Sequence, residues 1–92
     1  MNDQDKLYLN KAGFNSVGIL YTLAVENGIL KVYPKKDKLV VHMGIAINTF
    51  PIFWEETVNP GQVQEGFTHI IKRARAEVAL ILENVKEMET FL

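Results

Sequence analysis

The sequence predicts an α+β fold: an antiparallel three- to four-stranded β-meander followed by one long C-terminal amphipathic helix packed on the sheet. Three observations support this prediction. Large apolar residues occupy every second position from Leu39 to Ile47, Asn27-Gly28 is a typical hairpin turn, and apolar residues recur at spacings of three and four from Val63 to Leu92. We place the meander at about residues 17–55 and the helix at about 60–90, within a single domain of residues 1–92.

The composition is that of an ordinary globular protein, with 48% hydrophobic and 23% charged residues. A formal net charge of −1 gives no overall attraction to nucleic acid or to anionic membranes. Cysteine is absent, which favours a reducing compartment and excludes thiol catalysis. The polar start of the chain is unlike a signal peptide, and its apolar runs are too short to span a membrane, so we expect a cytoplasmic protein without a membrane partner.

Two segments leave alternatives open. Residues 1–16 form either a short strand at Lys6–Leu9, which we prefer, or a short helix at Asp3–Ala12 that ends at Gly13. Ser16–Glu26 is predicted as a strand, because its residues pair well across the following turn, although its pattern also permits a helix.

Two hairpins set the expected register of the meander. A type I′ turn at Asn27-Gly28 needs positive φ at both residues. The predicted pairs across it are Val25 with Leu30 and Leu23 with Val32. A four-residue loop at 34–37 gives the next predicted pairs, which are Val32 with Leu39 and Leu30 with Val41.

A third turn at Asn48-Thr49 would add a fourth strand, and Pro51 would confine that strand to the sheet edge. The predicted pairs are Phe53 with Gly44 and His42 with Glu55, with Ile52 and Trp54 facing the core.

The helix start has several local signals. Asn59 is a good N-cap, Pro60 suits the first helical position, and Gln62 completes a capping box. Val58 and Val63 stand where a hydrophobic staple would place them.

The predicted helix is longer than the sheet. About 30 residues span about 45 Å at 1.5 Å per residue, whereas strands of seven to nine residues reach about 23–30 Å. The apolar stripe beyond Val78 therefore needs the N-terminal segment, a helix break or a second copy of the chain to cover it. The candidate oligomer interface is Val78, Ile81, Leu82, Val85, Met88 and Leu92.

Few residues have the spacing that catalysis or metal binding requires. His42 and His69 belong to no HxH or HExxH motif, and the adjacent carboxylates Glu55 and Glu56 point apart in a strand. Ser16 is the only serine, and the sequence shows no base for it. We therefore expect no enzyme activity, no metal site and no cofactor.

Lysines and arginines cluster around the second hairpin and in the helix, near exposed aromatic residues that could stack on a base or a partner. The candidate binding surface is Lys31, Tyr33, Lys35, Lys36, Lys38, His42, Phe53, Lys72, Arg73 and Arg75. These features predict a non-catalytic binding protein, homo-oligomeric and acting by contact with another macromolecule, as many small bacterial or phage accessory proteins do. One alternative is a nucleic-acid binder that uses Lys35–Lys38 and Lys72–Arg75. Another is a binder of a small molecule or nucleotide, with a pocket at a subunit interface lined by aromatics and lysines.

Overall fold

A computed structural model describes the backbone of residues 1–47 and 50–91, and the side chains of these residues as far as Asn84. The elements in this part of the chain are α1 (Asp3–Ala12), β1 (Asn15–Val17), β2 (Leu20–Val25), β3 (Gly28–Lys35), β4 (Lys38–Ile47), β5 (Phe50–Val58) and α2 (Val63–Phe91). The strands form one antiparallel sheet in the order β1-β2-β3-β4-β5. The α+β prediction is confirmed, but the sheet has five strands rather than three to four.

The additional strand is β1, which pairs with β2 across a tight turn. Val17 lies opposite Leu20, and Gly18 between them has a φ of +61°, a value that glycine adopts without strain. The predicted meander began at residue 17 and therefore missed this hairpin.

The N-terminal segment is a helix, so the preferred strand at Lys6–Leu9 is wrong and the alternative helix Asp3–Ala12 is confirmed. Both helix ends are capped locally. The Asn2 side chain accepts a hydrogen bond from the Asp5 N–H, and Gly13, at φ 91°, donates its N–H to the carbonyl groups of Leu9 and Asn10.

The first hairpin turns at Glu26-Asn27 rather than at Asn27-Gly28. Val25 pairs with Gly28 and Leu23 with Leu30, so the predicted pairs are wrong by two residues. Asn27 has positive φ (63°), whereas Gly28 does not, which excludes the type I′ turn. Gly28 is needed inside the sheet, because a Cβ there would lie 2.3 Å from the Gly44 carbonyl oxygen.

The second hairpin is displaced in the same way. Its turn is Lys36-Asp37, flanked by the pair Lys35 and Lys38, so the four-residue loop is wrong. Lys36 has a φ of 58°. The observed pairs are Val32 with Val41, Leu30 with Met43 and Pro34 with Leu39. Because side chains alternate with a period of two, this displacement leaves every residue on its predicted face.

The predicted pairing of β4 with β5 is confirmed. Phe53 lies opposite Gly44, His42 lies opposite Glu55, and β5 is an edge strand that contains Pro51. The predicted turn at residues 48–49 lies outside the described residues.

Helix α2 starts later than predicted. Asn59 accepts the Gln62 N–H in a turn, and Gln62 then accepts the Gly66 N–H as the first helical bond. Gln62 is therefore the N-cap, and the N-cap predicted at Asn59 is wrong, together with the capping box and staple that depended on it.

Helix α2 packs on β4 and β5, and we call the sheet face that it covers the core face and the opposite one the outer face. The aromatic rings of Phe14, just after α1, and Phe67 of α2 have centroids 5.4 Å apart, which joins the N-terminal segment to the same core. The side chains buried in this core are Leu9, Phe14, Leu30, Val32, Leu39, Val41, Trp54, Val58, Val63, Phe67, Ile70 and Ala74. Among the described residues, neither helix is long and apolar enough to cross a membrane.

Candidate interaction surfaces

An open apolar groove of about 540 Å³ lies on the core face, between the middle of α2 and the end of the sheet near the β2–β3 turn. It is lined by Val25, Glu26, Leu30, Met43, Ile45, Ile71, Ala74, Arg75, Val78, Ala79 and Leu82. Only Glu26 and Arg75 among these residues carry charge. The lining contains neither aromatic residues nor lysines, unlike the small-molecule pocket expected from the sequence.

The groove exists because the sheet is wider than one helix. Five strands at about 4.8 Å spacing span about 19 Å, which is room for two helices of about 10 Å diameter. Helix α2 covers β4 and β5. The short α1 lies beside the start of α2, where Asp5 meets Gly61 and Phe14 meets Phe67. The groove lies at the end of the core face, where Val25 of β2, Leu30 of β3, and Met43 and Ile45 of β4 border the middle of α2.

Exposure of apolar side chains increases along the described part of α2. Leu80 and Leu82 are 59% and 49% exposed, whereas Ala74, two turns earlier, is buried. Val78 and Ile81, both predicted interface residues, are partly buried, and Val78 packs against the core. Three other predicted interface residues, Val85, Met88 and Leu92, lie outside the described side chains.

The outer face carries a second exposed surface. Lys31, His42 and Glu55 are neighbours in one row across β3, β4 and β5. Phe53, in the adjacent row, is 61% exposed, and its ring centroid lies 5.4 Å from that of His42. Tyr33 lies on the same face, opposite Val40.

His42 is the perturbed titratable group of this face. Burial lowers its pKa, a nearby Glu55 opposes that effect and Lys31 reinforces it. The His42 Nδ1 atom is buried and has no hydrogen-bond partner among the described residues. Burial therefore favours the neutral form of the imidazole, which lies beside Phe53 with Nδ1 unpaired among the described residues.

The two basic clusters lie on different sides of the sheet. Lys31, Lys35 and Lys38 alternate onto the outer face, Lys36 is in the β3–β4 turn, and the Lys38 ammonium donates to the Asn59 side chain. The other cluster is on α2, over the core face.

Two of the three residues of the α2 cluster share a surface. Lys72 and Arg75 border one open pocket together with Thr68 and Ile71, and Arg75 also lines the groove. Arg73 pairs instead with Glu77 at 3.6 Å. The continuous basic surface expected from the sequence is thus split into a hairpin part and a helix part.

His69 contacts one of the two adjacent glutamates of β5. Glu55 and Glu56 point to opposite faces of β5, and Glu56 accepts from His69 Nδ1 at 3.0 Å. Among the described residues, no three His, Asp or Glu side chains are placed to hold a metal ion together.

Comparisons with known protein families, with curated proteins and with solved structures found no match for this chain. Its function is therefore inferred from these surfaces alone.

Proposed function

We propose that this protein is a non-catalytic binding protein that works as a homo-oligomer in the cytoplasm and acts by contact with another macromolecule. The observation that carries the proposal is the apolar groove beside α2, which continues into the exposed Leu82 on the same helix. Exposed apolar patches of this kind usually mark interfaces, because water-exposed apolar area is costly to leave uncovered.

The mass of the protein in solution tests the oligomer. Light scattering at several protein concentrations should give at least a dimer. Leu82→Asp should reduce the mass to that of a monomer, because it places a charge in the groove wall. Leu80→Asp is the matched control: Leu80 is equally exposed but lies about 200° away around the helix and does not line the groove. A monomer at every concentration, or equal effects of the two variants, would contradict the proposed interface.

A second candidate function, binding of single-stranded nucleic acid, is favoured by the outer face. Exposed Phe53 beside the ring of His42 offers a stacking surface, and Lys31 lies opposite His42 in the neighbouring strand. Aromatic side chains stack on bases without regard to sequence, and lysines neutralise the phosphates. This surface is on the other side of the sheet from Lys72–Arg75. The proposed nucleic-acid site therefore contains the hairpin lysines but not the α2 cluster.

Binding of a fluorescent oligonucleotide at low and high salt tests this candidate. Phe53→Ala and Lys36→Glu should each weaken binding, whereas Phe50→Ala and Lys72→Glu should not. Phe50 is as exposed as Phe53 but lies three residues away and therefore on the other face of β5. Salt-insensitive binding, or loss with all four variants alike, would count against the outer face.

A further inference from the structure

We infer that the groove is filled by the α2 helix of a second copy, which runs antiparallel to the first α2, so that the end of each helix covers the groove of the other. This inference rests on the proposed function and names the occupant of its interface.

The excess length of α2 over the sheet matches the position of the groove. Helix α2 has 29 residues and is about 43 Å long, whereas the longest strand, β4, has 10 residues and spans about 33 Å. Helix α2 starts beside the β3–β4 end of the sheet, where Lys38 meets Asn59, so its last turns extend past the opposite end. The groove opens at that opposite end. Each copy therefore has a helix end that extends past the sheet and an open apolar groove beside the same helix.

A twofold axis would cover both the helix end and the groove of each copy. If the axis passes beside residues 79–82, the groove next to Ile71 and Ala74 receives the final turns of the partner helix. The same operation places the first helix end in the groove of the partner. The side of α2 that faces the groove includes Ala74 and Ala79, whose small side chains permit axes about 8–10 Å apart.

Charge selects the antiparallel direction. Arg75 is on the groove wall, and Glu83 lies two turns later on the same helix. The sequence from Glu83 to Leu92 contains three glutamates and one lysine. An antiparallel pair sets the Arg75 segment of each copy beside this acidic segment. A parallel pair would instead align Arg75 with Arg75 and Glu83 with Glu83, and like charges that face each other are destabilising.

Spin-label distances test the direction without disturbing the groove. The chain lacks cysteine, so a single introduced cysteine is labelled at one place only. Gln64→Cys and Ala76→Cys both change exposed residues of α2. In the antiparallel pair, two labels at position 64 should be about 45–55 Å apart and two labels at position 76 about 30 Å or less. A parallel pair gives short distances at both positions.

The outcomes separate this inference from the proposed function. A dimer that Leu82→Asp dissociates, with the long and short distances above, supports both. A dimer that Leu82→Asp dissociates but with short distances at both positions overturns the antiparallel arrangement and leaves the proposed interface intact. A monomer, or a dimer that Leu82→Asp does not affect, overturns both. Circular dichroism of each variant and the fluorescence of Trp54, the only tryptophan, confirm that the fold is retained.

Discussion

The carboxylate of Asp5 accepts the backbone N–H of Gly61 at 2.6 Å, across 56 positions of the chain. Its other oxygen accepts the Val63 N–H at 3.4 Å, at the first residue of α2. Asp5 is 2% exposed, although it is an acid in a surface helix. Since the first N–H groups of a helix have no partner within it, Asp5 supplies an acceptor at the start of α2, where Asn59 was predicted to be the N-cap, and it fixes α1 to α2.

Asp5→Ala should therefore lower the free energy of unfolding by about 1–3 kcal/mol, because it leaves buried N–H groups without an acceptor. Urea unfolding followed by Trp54 fluorescence measures the change. Asp3→Ala is the matched control, because Asp3 is an exposed acid in the same first turn of α1. Equal effects of the two substitutions would show that Asp5 acts through α1 alone and not through the contact with α2.

This contact also marks the limit of what could be predicted. The spacing of apolar residues identified α2, and the period-2 run of large apolar residues identified β4 with the correct faces. Asp5, which binds the start of α2, lies in a segment with no distinctive sequence pattern. The residues around Asn59, by contrast, fit a local capping box. A capping residue that is distant in the sequence has no characteristic spacing from the helix start, so the role of Asp5 could not be predicted from the sequence.

The registers of the two hairpins could not be predicted for a similar physical reason. A displacement of two residues keeps Leu30 and Val32 on the core face, so apolar alternation favours neither register. The decisive contact is between Gly28 and the carbonyl of Gly44 in another strand. The excess length of α2 predicted an uncovered apolar stripe that includes Val78 and Leu82, and both residues line the groove. The strand residues that form the rest of the groove could not be predicted from the helix pattern.

Gly66 is predicted to tolerate no side chain. A Cβ at this position would lie 2.8 Å from Val58 Cγ1 and 3.0 Å from Val41 Cγ2, both in the core. In an exposed helix site Gly→Ala would stabilise by about 1 kcal/mol. Here the steric conflict dominates, and Gly66→Ala should destabilise by about 1–3 kcal/mol.

Gly44→Ala is the comparison for Gly66→Ala. Its Cβ would meet the ring of Phe53 at 3.1 Å, but that ring is exposed and can turn away. Thermal unfolding should therefore show a smaller loss for Gly44→Ala. The reverse order would mean that α2 can shift on the sheet more easily than Phe53 can move.

The indole N–H of Trp54 donates to the Glu77 carboxylate at 2.5 Å, and Trp54 itself is 3% exposed. Glu77→Ala should cost about 1 kcal/mol of stability, because it removes the acceptor of a buried donor. It should also shift the Trp54 emission, since the charge nearest to the indole N–H disappears. Glu83→Ala, an exposed glutamate on the same helix, should change neither quantity. An unchanged emission spectrum in Glu77→Ala would argue that the pair does not persist in solution.

His42 should make the stability of the protein depend on pH. Burial lowers its pKa in the folded state, so below the ordinary histidine pKa of about 6.5 the unfolded chain binds more protons than the folded chain. Stability should therefore fall as the pH drops through about 6.5, and the loss should level off below the folded-state pKa. Urea unfolding at pH 7.5 and 5.5 should show a smaller decrease for His42→Gln than for the unmodified chain. As a control, both proteins are also compared with His69→Gln added, which removes the other histidine. If stability decreases as much in His42→Gln as in the unmodified chain, His42 is protonated as readily in the folded as in the unfolded state.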